Sequence, residues 1–185
     1  MGGARLSIPT LWPHPTLKRH WEELHRTESA TQPHIQSLLY HLVCALDVKH
    51  AVELGVWKGA TSRWLACAIE ANGGGTLTLV DTVEENVTLA ADRCRALELP
   101  HTTIEVRHGE SLFYLESLPT DVKFVFLDDD KQAIDKKLDL IKGRGVIVAI
   151  HDIEVVPDDT RKKWRIVHLP MPAIPSGGDL GLVVP

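Results

Sequence analysis

The sequence predicts an α/β fold, a seven-stranded and mostly parallel sheet ending in an antiparallel C-terminal hairpin, with helices ahead of it. Three observations predict this. Apolar strand-like runs alternate with helical stretches from residue 50 to residue 150, the pattern of successive parallel β-α units. Two glycines, Gly55 and Gly59, mark a turn between the first strand and the first helix of that series, the usual ligand edge of an open α/β sheet. The last two apolar runs are joined by a Pro/Gly-rich stretch, Pro170 to Asp179, that leaves no room for the crossover helix parallel neighbours need.

The elements run in order along the chain. Residues 1–16 are rich in Pro and Gly and read as an irregular arm. A helix is predicted over 16–27, with Trp21 and Leu24 facing the body, and another over 33–46, where Ile35, Leu38, Leu39, Leu42 and Val43 recur at helical spacing. Strands are predicted at 50–54, 76–81, 102–107, 123–128, 145–150, 164–169 and 180–184, and helices at 60–71, 84–97, 110–117 and 132–141. The runs at 123–128 and 145–150 are apolar almost throughout, as central strands covered on both faces must be. The whole chain, 1–185, reads as one domain: an arm and helices over 1–49, then a ligand-binding core over 50–185.

Bulk properties narrow the function. A chain of 185 residues with 44% apolar and 24% charged content is ordinary for a globular protein that buries a real core. The net charge of −5 argues against a nucleic-acid partner, and no apolar run reaches the length of a membrane span. The N-terminus lacks a basic-then-apolar leader. Cys44, Cys67 and Cys94 are scattered in helical stretches among apolar neighbours, as reduced core cysteines of a cytoplasmic protein would be. His14, His20, His25, His34, His41 and His50 crowd the N-terminal third without forming a metal motif, and are expected on helix surfaces or along the cleft.

Chemistry concentrates at the C-terminal ends of the strands. Residues 52–59 read Val-Glu-Leu-Gly-Val-Trp-Lys-Gly, a pattern E-x-G-x-x-x-G rather than the G-x-G-x-x-G of pyrophosphate binders. The carboxylate of Glu53 would repel a pyrophosphate and attract a cation such as the amino group of a methionine moiety. The turn therefore points to S-adenosylmethionine rather than NAD, and a NAD-dependent dehydrogenase is the second reading of the fold. Trp57 inside the turn can pack on the ligand, whereas Trp12, Trp21, Trp64 and Trp164 read as packing residues. Asp81 ends the second strand where an acid can hold ribose hydroxyls, or else cap the next helix. After the third strand, Gly109, Glu110 and Ser111 form a turn in which Ser111 either caps a helix or meets an adenine ring.

The fourth strand ends in Asp128-Asp129-Asp130-Lys131 and the fifth in His151-Asp152. If these strands are neighbours, carboxylates and an imidazole surround one point. An oxygen-rich set suits Mg2+ or Mn2+, and the histidine favours Mn2+. The competing reading has the acids capping the following helix and His151 as a hydrogen-bonded rim residue. Lys131 is either a general base near an apolar pocket or a solvated lysine paired with an acid.

Taken together, these motifs resemble those of class I S-adenosylmethionine-dependent methyltransferases, and among them the small catechol and caffeoyl-CoA type O-methyltransferases with their natural-product relatives. The match spans about residues 35–152 and the terminal Gly-rich stretch. The resemblance implies a Rossmann-like class I methyltransferase fold. It carries cofactor-binding roles onto Glu53, Gly55, Trp57, Gly59, Ser62, Asp81, Gly109, Glu110, Ser111 and Asp128. It makes Asp128, with His151 and Asp152, a divalent-metal site, and Lys131 and His151 candidates for the proton acceptor. His151-Asp152 stands where most of the family has Asp-Asn, as in the natural-product branch, and the segments after Asp128 and Asp152 are short. The reaction implied is in-line methyl transfer to an oxygen of a small hydroxylated molecule, by a protein expected to form a homodimer. Methylation of RNA or protein, and a non-catalytic cofactor-binding subunit, are the alternatives.

Overall fold

The computed structural model describes residues 19, 20, 24, 31–170 and 178–185. The expected arm at 1–16, most of the helix expected over 16–27, and Trp12, Trp21, His14 and His25 lie outside them. Helix α1 (Pro33–Ala45) opens on a proline in its first turn, where no intrahelical donor is lost, and buries Ile35, Leu39, Tyr40 and Val43 along one face. Then β1 (His50–Leu54) leads through the glycine turn into α2 (Ala60–Ala71) and β2 (Gly75–Asp81). Next come α3 (Glu84–Arg95), β3 (Thr102–His108), α4 (Ser111–Glu116) and β4 (Phe124–Leu127). They are followed by α5 (Ile134–Ile141), β5 (Ile147–His151), a single 3₁₀ turn at Ile153–Val155, α6 (Asp158–Lys163), β6 (Val167–Leu169) and β7 (Leu180–Val183).

The strands form one sheet in the order β3-β2-β1-β4-β5-β7-β6. The first five are parallel, and β7 runs antiparallel to both β5 and β6. Every residue of β1 and β4 is buried, as central strands demand. Two apolar layers sandwich the sheet. One gathers Trp64, Leu65 and Ile69 of α2 with Ile35, Leu39, Phe124 and Phe126; the other gathers Leu115, Leu138 and Ile141 with Val125, Leu127 and Ile150. Among the described residues, no helix is long and apolar enough to cross a membrane.

The strand expected over 164–169 is shorter than the sequence suggests. Residues 158–163 form α6, and β6 begins only at Val167. This helix has no apolar periodicity to betray it. Its acids, Asp158 and Asp159, sit in the first turn and its bases, Arg161 to Lys163, in the last, which suits the helix dipole. Trp164 caps it and donates its indole N–H to Asp135 Oδ1 at 2.7 Å. His50 also departs from expectation. It is a buried strand residue whose ring nitrogens lie 3.1 Å from Asp121 Oδ2 and 3.2 Å from Thr78 Oγ1.

This topology fixes where a site can form. The chain leaves β1 toward β2 on one side and reaches β4 on the other, so the loops after β1 and β4 diverge above the middle of the sheet. A crevice opens at such a switch point.

Candidate active site

The loop after β1 is shaped by close backbone contacts. Gly55 has φ +83°, and a Cβ there would lie 2.8 Å from Asp129 N and 2.9 Å from the Asp128 carbonyl carbon. Gly59 has φ +73°, and its Cβ would lie 2.5 Å from Ala90 Cα on α3. Both positions require glycine twice over, for conformation and for space. The absence of a side chain lets neighbouring backbone, that of Asp128 and Asp129 at Gly55 and of Ala90 at Gly59, approach this turn closely. Trp57, at φ +41°, is a non-glycine in the left-handed region and is 43% exposed.

The Asp81 carboxylate holds this loop from the end of β2. Its Oδ2 accepts N–H groups of Val56 at 3.0 Å and Trp57 at 3.2 Å, and its Oδ1 accepts that of Val83 at 2.9 Å. Below the loop, Glu53 is 1% exposed, and its Oε2 is buried without a hydrogen-bond partner among the described residues. Burial pushes the Glu53 carboxyl well above its usual range, the Ser62 hydroxyl partly opposes this, and the charges of Asp128 and Asp81 add to it. A buried acid in that state is costly until a cation arrives to pair with it.

Across the crevice, β4 and β5 are paired neighbours, and their ends converge. His151 Nδ1 lies 2.8 Å from Asp128 Oδ1 and 3.5 Å from Asp152 Oδ2. Thr31, just before α1, donates its hydroxyl to Asp128 Oδ2 at 2.9 Å. His151 is 3% exposed, and its Nε2 is buried without a partner among the described residues. Burial pulls the His151 imidazole down, but the hydrogen bond and charge of Asp128, helped by Asp152, outweigh it and leave its pKa raised. Asp128, His151 and Asp152 each offer a ligand atom, all within 4.8 Å of one another. Two carboxylates and one imidazole so placed fit a divalent cation of the Mg2+ or Mn2+ kind.

Two lysines come after the acids, and they have different surroundings. Lys131 bends back to donate to the Asp129 carbonyl oxygen at 2.6 Å. Burial lowers its pKa, against the opposing charges of Asp128, Asp129 and Asp152. Lys137 on α5 has a side chain only 5% exposed; its ammonium donates to Asp129 Oδ2 and to the Asp130 carbonyl oxygen, both at 2.7 Å. Ser111, first residue of α4, donates its hydroxyl to the same Asp129 Oδ2.

These parts enclose one cavity of about 600 Å³. Of the residues singled out from sequence, Glu53, Gly55, Trp57, Asp81, Glu110, Ser111, Asp128, His151 and Asp152 line it, whereas Gly59, Ser62, Gly109 and Lys131 do not. Thr31 and Lys137 line it as well, and neither was anticipated. Nothing in the sequence marks Thr31. Lys137 did leave a signal: it shares the spacing of Ile134, Leu138 and Ile141, the buried face of α5, and a lysine on such a face needs a buried acceptor.

Residues 52–153 match the family model described as "Methyltransferase domain". No curated protein matches the chain. Among solved structures, an O-methyltransferase from Bacillus cereus in complex with SAH superposes with a TM-score of 0.64 at 19% identity, covering 96% of this chain and 94% of the other. The O-methyltransferase TomG from Streptomyces achromogenes, involved in tomaymycin synthesis and solved with SAM, also gives 0.64 at 19% identity, covering 95% and 92%. An SAH-bound methyltransferase from Podospora anserina gives 0.64 at 12% identity, covering 94% and 89%. At these identities the likeness is one of fold.

Proposed function

The chain belongs to the methyltransferase-domain family, and from that premise we propose that it transfers the methyl group of S-adenosylmethionine to an oxygen of a small hydroxylated molecule. The observation that carries this reading is Glu53, a fully buried carboxyl with an unpartnered oxygen at the wall of the cavity. The amino group of the cofactor's methionine half is the cation such a group accepts. Asp81, Glu110 and Ser111 line the same cavity; in this reading Asp81 takes the ribose hydroxyls and Glu110 with Ser111 the adenine. The solved O-methyltransferases of the same fold, holding SAM or SAH, support the choice of cofactor and of oxygen as acceptor.

The protein's contribution is placement and proton transfer. Sulfonium and acceptor oxygen must meet in line, and holding them so accounts for much of the barrier. Asp128 fixes the imidazole of His151 through Nδ1 and leaves Nε2 to take the acceptor's proton. Lys131, tied to the Asp129 carbonyl, is the second candidate for that proton. Asp128, His151 and Asp152 would hold a divalent cation, which when bound lowers the pKa of a coordinated hydroxyl. The three cysteines are free, which fits a cytoplasmic setting.

The test is release of S-adenosylhomocysteine from S-adenosylmethionine in the presence of a panel of phenols and hydroxylated sugars, with and without EDTA. Turnover of at least one panel member supports the reading. Undetectable binding of both cofactor and product by calorimetry sinks it. Full activity in EDTA removes the metal while leaving methyl transfer intact.

A further inference from the structure

The Asp128–Asp130 loop carries more than the candidate metal acid. Asp129 is a junction of three elements. Its backbone N packs against Gly55 of the β1 turn, closely enough that a Cβ on Gly55 would sit 2.8 Å away. Its carboxylate oxygen Oδ2 accepts the Ser111 hydroxyl from the N-terminus of α4. The same oxygen accepts the Lys137 ammonium from α5 at 2.7 Å, and Lys137 also binds the next carbonyl, that of Asp130, at 2.7 Å. The Lys137 side chain is 5% exposed and that of Asp129 17%, so this pair is largely shielded from water, where each charge leans on the other. Its bonding to two successive residues of the loop suits it to hold the loop's shape.

We propose that Lys137 is a positioning residue for the methyl donor: acting through Asp129, it fixes the Ser111 hydroxyl and the adjoining turn against the adenosyl half of the cofactor. The inference rests on the cofactor reading above. Without the ammonium, the largely shielded Asp129 carboxylate loses the ionic partner at Oδ2 that holds it in place. It is then free to turn toward solvent, and that movement releases Ser111. Lysine at this position thereby links the two sides of the cavity, α5 under the acids and α4 beside the adenine.

The experiment measures S-adenosylhomocysteine affinity by calorimetry for the full chain and for Lys137→Met, Lys137→Arg, Asp129→Asn and the Lys137→Met/Asp129→Asn double variant. Lys137→Met is expected to bind about tenfold more weakly, Lys137→Arg to recover most of that loss, and the double variant to lose no more than about the larger single loss, the signature of coupled residues. Additive losses, or unchanged affinity in Lys137→Met, overturn the proposal while the cofactor reading stands. A wild-type chain that binds no S-adenosylhomocysteine overturns both. If Lys137→Met does not fold, the cycle is run on Asp129→Asn and Ser111→Ala, where additivity is again the overturning result.

Discussion

Asp128 and His151 face each other one step beyond the Leu127–Ile150 pair of β4 and β5, with 2.8 Å between Oδ1 and Nδ1. Sheet register alone brings these residues together, although 23 positions separate them in the chain.

With His151 as the proposed proton acceptor, this pairing should give stability and turnover opposite pH trends. The folded pKa of His151 lies above its ordinary 6.5, so the stability it contributes is fully present below 6.5 and is lost as pH rises through the raised value. As a proton acceptor His151 must be neutral, so turnover rises over the same window. In EDTA, kcat/KM should climb with pH while the thermal midpoint falls. His151→Gln should flatten both trends and cut turnover by about 10²-fold or more. A pH profile unchanged by that substitution would assign the proton to another group.

Glu53→Gln keeps the shape of the side chain and removes its charge. With no carboxylate for the donor's ammonium, affinity for S-adenosylmethionine should fall at least about tenfold, corresponding to about 1.5–3 kcal/mol for a hydrogen bond to a charged group. Calorimetry reads this directly. The free variant should be no less stable than wild type, because burial already holds Glu53 above its normal carboxyl range.

Gly55→Ala places a methyl group 2.8–2.9 Å from the backbone of Asp128 and Asp129 at a φ of +83°. Neither backbone can yield without shifting the acids. The variant should lose about 1–3 kcal/mol of stability in urea titrations, together with cofactor affinity. Wild-type values in both measurements would mean that the two loops move freely of each other.

Asp135 accepts Thr160 Oγ1, Lys163 Nζ and Trp164 Nε1, which together hold its pKa at about 2. This is a depressed carboxylate, so its stabilising effect is present above the usual carboxylate range and fades as pH falls toward 2. The site is half exposed, and the effect at neutral pH should be under about 1 kcal/mol. Asp135→Asn should cost that much at neutral pH and progressively less as pH falls toward 2, by denaturant titration across that range.

The sheet was readable because its strands are apolar runs between glycine and acidic punctuation, and the C-terminal hairpin because Pro170 to Asp179 is too short for a crossover. Helix α6 was not, since its six residues are polar and take their stability from charge placement and the Asp135 contacts. At the site, Glu53, Asp81, Asp128 and His151 stand out because they fall near the C-terminal ends of predicted strands, the ligand edge of an open α/β sheet. Lys131 drew notice by adjacency to the acids, yet its amino group folds back on its own loop. The lysine that enters the cavity, Lys137, comes from one helix later, and only the three-dimensional path of α5 brings it there. Thr31 reaches Asp128 across 97 positions, a contact no local pattern encodes.

Asp152 occupies the left-handed region at φ +53°, and its carboxylate lies where a Cβ on Gly178 would fall. Among residues with a side chain, Asp and Asn tolerate that backbone best. Position 152 is therefore filtered by shape before it is filtered by charge. An Asn there would preserve the corner while halving the anionic ligand set. If this corner holds the proposed cation, its affinity would be tuned by a single atom without disturbing the sheet that supports it.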